Sequence, residues 1–373
     1  MTSNEELRDA VVRHQIGLLR VSNKVRNDTL KLLDATEADM KAELLVQLDK
    51  GARGSTKRLN GMITTIHAIR QTAWDENTQT WNNEMIAVAK AEPVAMGRIA
   101  QTVAPVTLEI VMPSTGALVG IVRSKPFEGA TLKQWSQTIA KNDLDNLERS
   151  IKIGLVQGES NQNIARRLFG TSTARGANGI TALTRKHASS ITRTATNHMA
   201  NQARRAFAAQ NADIFSEEQY LATLDSRTTP ICRSLDGKTY PIDMGPIPPL
   251  HWNCRSLRIP FLGDHDMAAR PEKRATKQLL DREGLTGAAR RARIRELTGQ
   301  APSGTTYVDF LKRQPVAVQD DILGTTKAKL WRKGGLSLDK FVDRNGSELT
   351  LSQLARAEKE AFKSAGLEPE NFL

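Results

Sequence analysis

The sequence predicts a mainly α protein carrying one small α+β module: an amino-terminal helical hairpin or bundle, a compact turn-rich centre and a helical carboxy-terminal tail. Three observations lead there. Apolar residues recur at helical spacing through most of residues 5–100 and again from Thr131 to Phe169. Residues 213–262 break that texture with short turn-rich segments, both cysteines and the closely placed Pro246, Pro248 and Pro249. The apolar share of 39% and aromatic share of 5% fall below the roughly 45–50% apolar content of compact domains, which leaves part of the chain for extended helix or linker.

Taken in order, Thr2 and Ser3 ahead of Glu5 and Glu6 read as a helix start, since a hydroxyl cap and a first-turn carboxylate satisfy the free N–H groups there. Val11, Leu18, Val25 and Leu32 then fall seven apart, a narrow seam suited to a helical hairpin or short coiled coil, with His14 and Asp28 interrupting its second row. The Gly51–Gly54 stretch punctuates the pattern. Periodicity resumes at Leu59, Met62, Ile63, Ile66 and Ile69 and runs on through Trp74, Trp81, Met85 and Val88. Residues 1–102 thus form a helical docking region. From Val103 to Val122 the residues become β-branched, broken by Pro105, Pro113-Ser114-Thr115-Gly116 and Gly120, which predicts short strands or an extended connector over 103–125. Residues 126–262 form the central domain, with a loop at Gly170–Gly179 and a helix over Thr181–Ala212. Residues 263–373 read as a basic helical extension, with a helix around Ala288–Leu297, a break at Pro302-Ser303-Gly304, and turns at Gly334-Gly335 and Asn345-Gly346.

At 373 residues the chain has room for two or three domains. Its 53 Lys+Arg against 41 Asp+Glu give +12, so polyanions are the default partners. The excess is local. Between Ser160 and Ala212 no acidic residue occurs, while Arg166, Arg167, Arg175, Arg185, Lys186, Arg193, Arg204 and Arg205 do. They form either a solvated helix face or a contact surface for nucleic acid or an acidic partner. Two cysteines exclude a disulfide-rich secreted scaffold. The amino terminus lacks the basic start and apolar run of a signal peptide, and no apolar run reaches the roughly 18 residues of a spanning helix. Export and membrane insertion are not expected. Neither a phosphate-binding glycine loop nor a zinc-protease helix motif appears, so no small-molecule substrate is expected.

The densest motif runs from Asp225 through Arg227, Thr228, Cys232, Asp236 and Gly237 to His251, Cys254 and Arg255. Leu235-Asp236-Gly237-Lys238 has the form of a tight hairpin turn, because Asp-Gly tolerates positive φ. Cys232, His251 and Cys254 are metal-ligand types, and the His-x2-Cys spacing places two donors on one turn. The set is one short of a structural zinc site, which Asp225 or a residue from elsewhere would complete. A Cys232–Cys254 disulfide, or two buried thiols beside a hydrogen-bonded histidine with no cofactor, are the other readings. Two catalytic arrangements are also open: Cys232, His251 and Asp225 as nucleophile, base and orienting acid, or Asp225, Asp236 and Asp243 around the metal of a nuclease.

The run Leu-Asp-Ser-Arg-Thr…Cys-Arg…Leu-Asp-Gly-Lys…Pro-Pro-Leu-His-x2-Cys-Arg resembles the phage head morphogenesis domain, the phage Mu protein F-like minor head proteins. Phe127–Leu132, Gly154–Glu159, Ala165–Gly170 and Arg193-Thr194 are similar to the family's lead-in, and Thr306–Leu311, Gln314-Pro315 and Phe341–Asp343 to its carboxy-terminal extension. The resemblance covers roughly Val119 to Leu354 and marks 126–262 as the head-morphogenesis domain. It implies a virion protein of the phage head near the portal vertex, assembled in the host cytoplasm. Its implied partners are the portal protein, the major capsid protein and phage DNA, and its role lies in assembly, DNA packaging and ejection through binding, not catalysis. Many members carry further cysteines where this chain has Thr229 and Ser256, and a glutamate where it has Ala195. Those departures weaken a complete metal site or a catalytic centre.

Overall fold

The computed structural model describes residues 3–50, 55–104, 106–174, 176–262, 270–273, 277–301 and 305–373. Helix α1 (Ser3–Asp49) and helix α2 (Thr56–Val103) form the expected hairpin. They run antiparallel, since His14 meets Glu92, Thr29 meets Trp81 and Leu33 meets Arg70. Ser55 caps α2 by accepting from the Arg58 N–H. Thr2, Gly51–Gly54, Pro105, Arg175 and Pro302-Ser303-Gly304, which the sequence singled out, lie outside the described residues.

Val11, Leu18 and Val25 are buried as the seam requires, but Leu33 takes the place predicted for Leu32. The row buried beside it is not the one through His14 and Asp28 but a polar one. Arg8, Gln15, Ser22 and Thr29, also seven apart, are all buried. The hairpin packs on a third long helix, α6 (Thr181–Gln210), in a core that joins Leu18, Val25, Trp74 and Trp81 to Ala188, Ile191 and Met199, while Arg8 reaches Gln219. Gln15 donates to Asn197 on α6, and Trp81 Nε1 donates to Thr29 Oγ1 at 2.7 Å. The seam of α1 is therefore filled from within the chain, as a helical hairpin requires.

The segment expected to be extended instead holds a helix, α3 (Thr115–Ser124). Ser114 caps it, and Leu118, Ile121 and Val122 make an apolar face at helical spacing that packs on α2 and α6. Helices α4 (Leu132–Val156) and α5 (Asn161–Phe169) follow, and α4 opens with a capping box between Thr131 and Gln134. One buried carboxylate ties the scaffold together. Asp143 on α4 accepts from Arg70 Nε at 2.6 Å, Trp74 Nε1 at 2.9 Å and Thr184 Oγ1 at 2.7 Å, while Arg70 also donates to the Leu33 carbonyl at 2.7 Å.

The α+β module is a three-stranded antiparallel sheet of order β2-β1-β3, made of β1 (Glu217–Leu221), β2 (Thr239–Pro241) and β3 (Leu257–Phe261), with the short helix α7 (Pro230–Leu235) between β1 and β2. Gly237 has φ 81°, as Asp-Gly predicted, yet the turn joins α7 to β2 rather than two strands of a hairpin. Pro230 is the reason: at the first helical position it starts a helix where the sequence pattern showed only loop.

Beyond residue 262 the expected helical tail includes an antiparallel ladder of β4 (Arg270–Lys273) and β5 (Thr298–Ala301) around α8 (Lys277–Arg282) and α9 (Gly287–Glu296). Five short helices then enclose a core of their own: α10 (Tyr307–Lys312), α11 (Val316–Leu323), α12 (Thr325–Lys333), α13 (Leu351–Ala357) and α14 (Lys359–Ser364). Tyr307, Phe310, Leu330, Phe341, Leu354 and Phe362 fill that core, and Leu224 from the central motif is inserted among them. Gly335 and Gly346 take the positive φ of the predicted turns.

Candidate functional site

The motif is first of all a joint. Asp225 is buried and accepts both Arg255 terminal nitrogens, the Arg227 backbone N–H at 3.0 Å and the Thr228 hydroxyl at 3.2 Å. Burial alone would raise its pKa, but the hydrogen bond and charge of Arg255 hold it below the usual carboxylate range. Asp236 accepts from the Ala222 N–H on one oxygen and from the Tyr307 N–H on the other, each at 2.7 Å. The Tyr307 hydroxyl donates to the Asp225 carbonyl at 2.9 Å, and Arg233 donates to the Ile322 carbonyl at 3.2 Å. Asp225, Thr228, Asp236 and Arg255 thus hold the module together and bind it to the carboxy-terminal helices.

Cys232, His251 and Cys254 do meet, with their ligand atoms all within 4.8 Å of one another. Asp225, the expected fourth ligand, is not among them, because Arg255 and Thr228 occupy its oxygens. The sulfurs are 3.8 Å apart and both cysteines are free, so the disulfide reading does not hold in this structure. Tyr220 Oη lies 3.2 Å from the Cys232 sulfur, a neighbour the sequence did not reveal. The hydrogen bond from the Cys254 thiol, aided by His251, lowers the Cys232 pKa against the opposing effect of burial. Burial opposes charge on His251 too, but Cys232 raises its pKa.

The His-x2-Cys turn is pinned from two sides. Thr194 on α6 accepts from the Asn253 N–H at 2.9 Å, and Trp252 packs edge-on against Trp135 of α4 with ring centres 4.9 Å apart. His251 Nδ1 contacts the Trp252 carbonyl at 2.9 Å, so Asp225 does not orient the ring in this structure. The three carboxylates of the nuclease set are likewise engaged in internal contacts. Asp225 is bound to Arg255, Asp236 to two backbone N–H groups and Asp243 to Arg205.

Beside the cluster, α1, α6 and the module enclose a cleft of about 450 Å³, lined by Gln15, Ser22, Arg193, Asn197, Arg227, Thr229, His251, Cys254 and Arg255 among others. Among the described lining residues none is acidic. Burial, then the charges of Arg26 and Arg227, depress the Arg193 pKa. Arg193 thus stands among like charges, whereas Arg255 is paired with Asp225 and Arg227 lies 3.8 Å from the same carboxylate.

The seven basic residues proposed as contacts separate. Arg204 is fully buried and cannot meet a phosphate: it pairs with Glu92 and donates to the Arg258 carbonyl at 3.1 Å. Arg167 pairs with Glu159, Arg185 with Asp34 and Glu37, and Arg205 with Asp243. Arg166, Lys186 and Arg193 are exposed. In the tail, Arg290 and Arg293 of the basic helix are matched by Asp281 and Glu283.

Fold and site define a mainly helical protein whose densest motif is a structural joint beside a Cys-His-Cys cluster and an arginine-lined cleft. Residues 145–259, from the middle of α4 to β3, match the model of the family described as Phage Mu protein F like protein. That match supports the resemblance read from the motif, and it suggests a phage head morphogenesis protein that works among other head components in the virion. Neither the curated proteins nor the solved structures compared with the chain gave a match. Among the described residues no helix is long and apolar enough to cross a membrane.

Proposed function

We propose that this protein is a minor head protein of a tailed bacteriophage, bound at the portal vertex, acting in head assembly and in DNA packaging and ejection through binding and not catalysis. The observation that carries the reading is the family match over the module and the helices that support it. The engagement of Asp225, Asp236 and Asp243 in internal contacts favours binding over a metal-dependent nuclease. The partners in this reading are the portal protein, the major capsid protein and phage DNA, with Arg166, Lys186 and Arg193 as the cations that reach phosphate.

Crosslinking of purified heads followed by mass spectrometry is expected to join this chain to the portal protein; crosslinks to tail components alone would overturn the placement. Duplex DNA with magnesium or manganese should stay intact in its presence. Cleavage lost on Asp225→Ala would restore the nuclease reading. Replacing Arg166, Lys186 and Arg193 by glutamate should weaken DNA binding, and each lost phosphate contact should flatten the log–log salt dependence by about 1. An unchanged slope would remove DNA from the list of partners.

A further inference from the structure

Three side chains outside the joint converge with no role in it. Cys232 lies in α7, and His251 and Cys254 end a four-residue turn closed by the Cys254 N–H donating to the His251 carbonyl at 3.1 Å. Asn253 takes φ 60° in that turn, which brings both donors to the same side. The histidine ring is fixed as well. Its Nδ1 stands 2.9 Å from the Trp252 carbonyl, which only accepts, so Nδ1 carries a proton and in the neutral ring the Nε2 lone pair faces Cys232 at 3.2 Å. Metal-binding histidines are held in this way, with the second nitrogen donating to a backbone carbonyl.

The distances fit an ion. A tetrahedral zinc about 2.3 Å from each sulfur sets the sulfurs roughly 3.8 Å apart, and Cys232 and Cys254 stand at 3.8 Å. The same geometry asks for roughly 3.6 Å between each sulfur and the nitrogen; the nitrogen stands 3.2 Å from the Cys232 sulfur and within 4.8 Å of that of Cys254, so a small turn of the His251 ring toward Cys254 completes the set. Two thiolates and an imidazole favour a zinc-class ion over magnesium or calcium, which prefer oxygen.

We propose that Cys232, His251 and Cys254 bind one zinc-class divalent ion whose fourth coordination position faces the arginine-lined cleft. His251 and Cys254 both line that cleft, and Asp225 is held away by Arg255. The Thr229 hydroxyl also lines it, buried without a well-formed hydrogen bond. Water fills the fourth position at rest, and an anion held by Arg193 and Arg227 replaces it. Binding the ion releases the two thiol protons to solvent, so affinity rises with pH. The site stands independently of the head-protein reading.

Full-length protein loaded with excess zinc and desalted is expected to retain one equivalent of zinc, by elemental mass spectrometry. Cobalt(II) in its place is expected to give intense visible bands of tetrahedral coordination and a near-ultraviolet thiolate charge-transfer band. Cys254→Ser and His251→Ala should lose the stoichiometric ion, whereas Asp243→Asn should keep it. Should those first two variants not fold, a mercurial thiol reagent added to the wild-type chain is expected to release one equivalent of zinc as both thiols react. Substoichiometric zinc at saturation, a cobalt spectrum without the thiolate band, or a Cys232–Cys254 disulfide in freshly isolated protein would each overturn the site. Azide or inorganic phosphate is expected to shift the visible cobalt bands, and an unshifted spectrum overturns the open position.

Discussion

The long-helix scaffold and the carboxy-terminal unit, both helical and both with apolar cores, differ in the charge they bury. The scaffold buries charge at its centre, with Arg204 against Glu92 and Arg70 against Asp143, all four side chains at most 1% exposed. Residues 305–373 bury aromatic and aliphatic side chains instead, and two of their helices begin with capping boxes, at Thr306 with Asp309 and at Thr350 with Gln353. Length accounts for the contrast. A 48-residue helix such as α2, with its apolar seam, can slide past its neighbours by a heptad at little cost, whereas its buried ion pairs to α6 and α4 are satisfied in one register. Helices of six to nine residues have no such alternatives but cannot stand alone, so caps and burial must hold them.

The sharpest way to break this comparison is to remove one partner of a buried pair. Glu92→Gln leaves the Arg204 guanidinium buried without its counter-charge, and urea unfolding should show a loss of about 3–5 kcal/mol. Replacing the pair together, Glu92→Leu with Arg204→Met, should recover most of that stability, because the desolvation of both charges disappears. If the single change costs less than about 1 kcal/mol, the pair is not what fixes the register of the scaffold.

A second test separates the regions by pH. His198 on α6 is buried against Phe127, its Nε2 has no hydrogen-bond partner, and burial lowers its pKa to about 4. The unfolded chain takes up this proton near the ordinary histidine value while the folded chain does not. Stability is therefore full above about pH 6.5 and falls as pH drops toward 4, by roughly 3 kcal/mol. Glu92 and Asp225, whose folded pKa values are depressed, lose their contributions only lower, as pH falls through and below the ordinary carboxylate range. Residues 305–373 contain no histidine. Hydrogen exchange at pH 5 against pH 7 should thus show the scaffold opening while the carboxy-terminal core stays protected, and His198→Phe should flatten the difference. Equal loss of protection in both regions would show that they unfold as one unit.

What the sequence disclosed follows the same division. Helical spacing exposed α1, α2 and α4, and the Cys-His-Cys convergence was legible because two of its donors share one turn. Arg8, Gln15, Ser22 and Thr29 were not legible as interior, since a polar row at heptad spacing looks like a solvent face until its partner is known. Arg204 and Arg205 show the limit most directly. Neighbours on a helix point about 100° apart, so one is buried and the other exposed enough to meet Asp243, and nothing in their identity separates them. A usable signal lay in the surrounding small residues. Ala188, Ala195, Ala200 and Ala203 in the same acid-free segment leave room for close packing, which a purely solvated basic face does not need. Of the short strands or extended connector expected over 103–125, residues 106–114 do form a connector without helix or strand, whereas Thr115–Ser124 is helical because the Ser114 cap outweighed the β-branched content that follows it.

The smallest effect belongs to the joint between the regions. Tyr307 is fully buried, its hydroxyl donates to the Asp225 carbonyl and its N–H to Asp236, so one residue touches both acidic positions of the motif. Tyr307→Phe keeps the ring contact with Phe310 and the backbone bond but leaves a buried carbonyl without that donor, at a cost of about 1 kcal/mol. Asp236→Ala removes the acceptor for both the Ala222 and the Tyr307 N–H groups and should cost about twice as much. Limited proteolysis between residues 262 and 305 reads the outcome. If the motif is the joint, both variants release the carboxy-terminal unit faster in that order while its core stays resistant. If cleavage is unchanged, apolar contact through Leu224 holds the regions together and the motif's carboxylates serve the module alone.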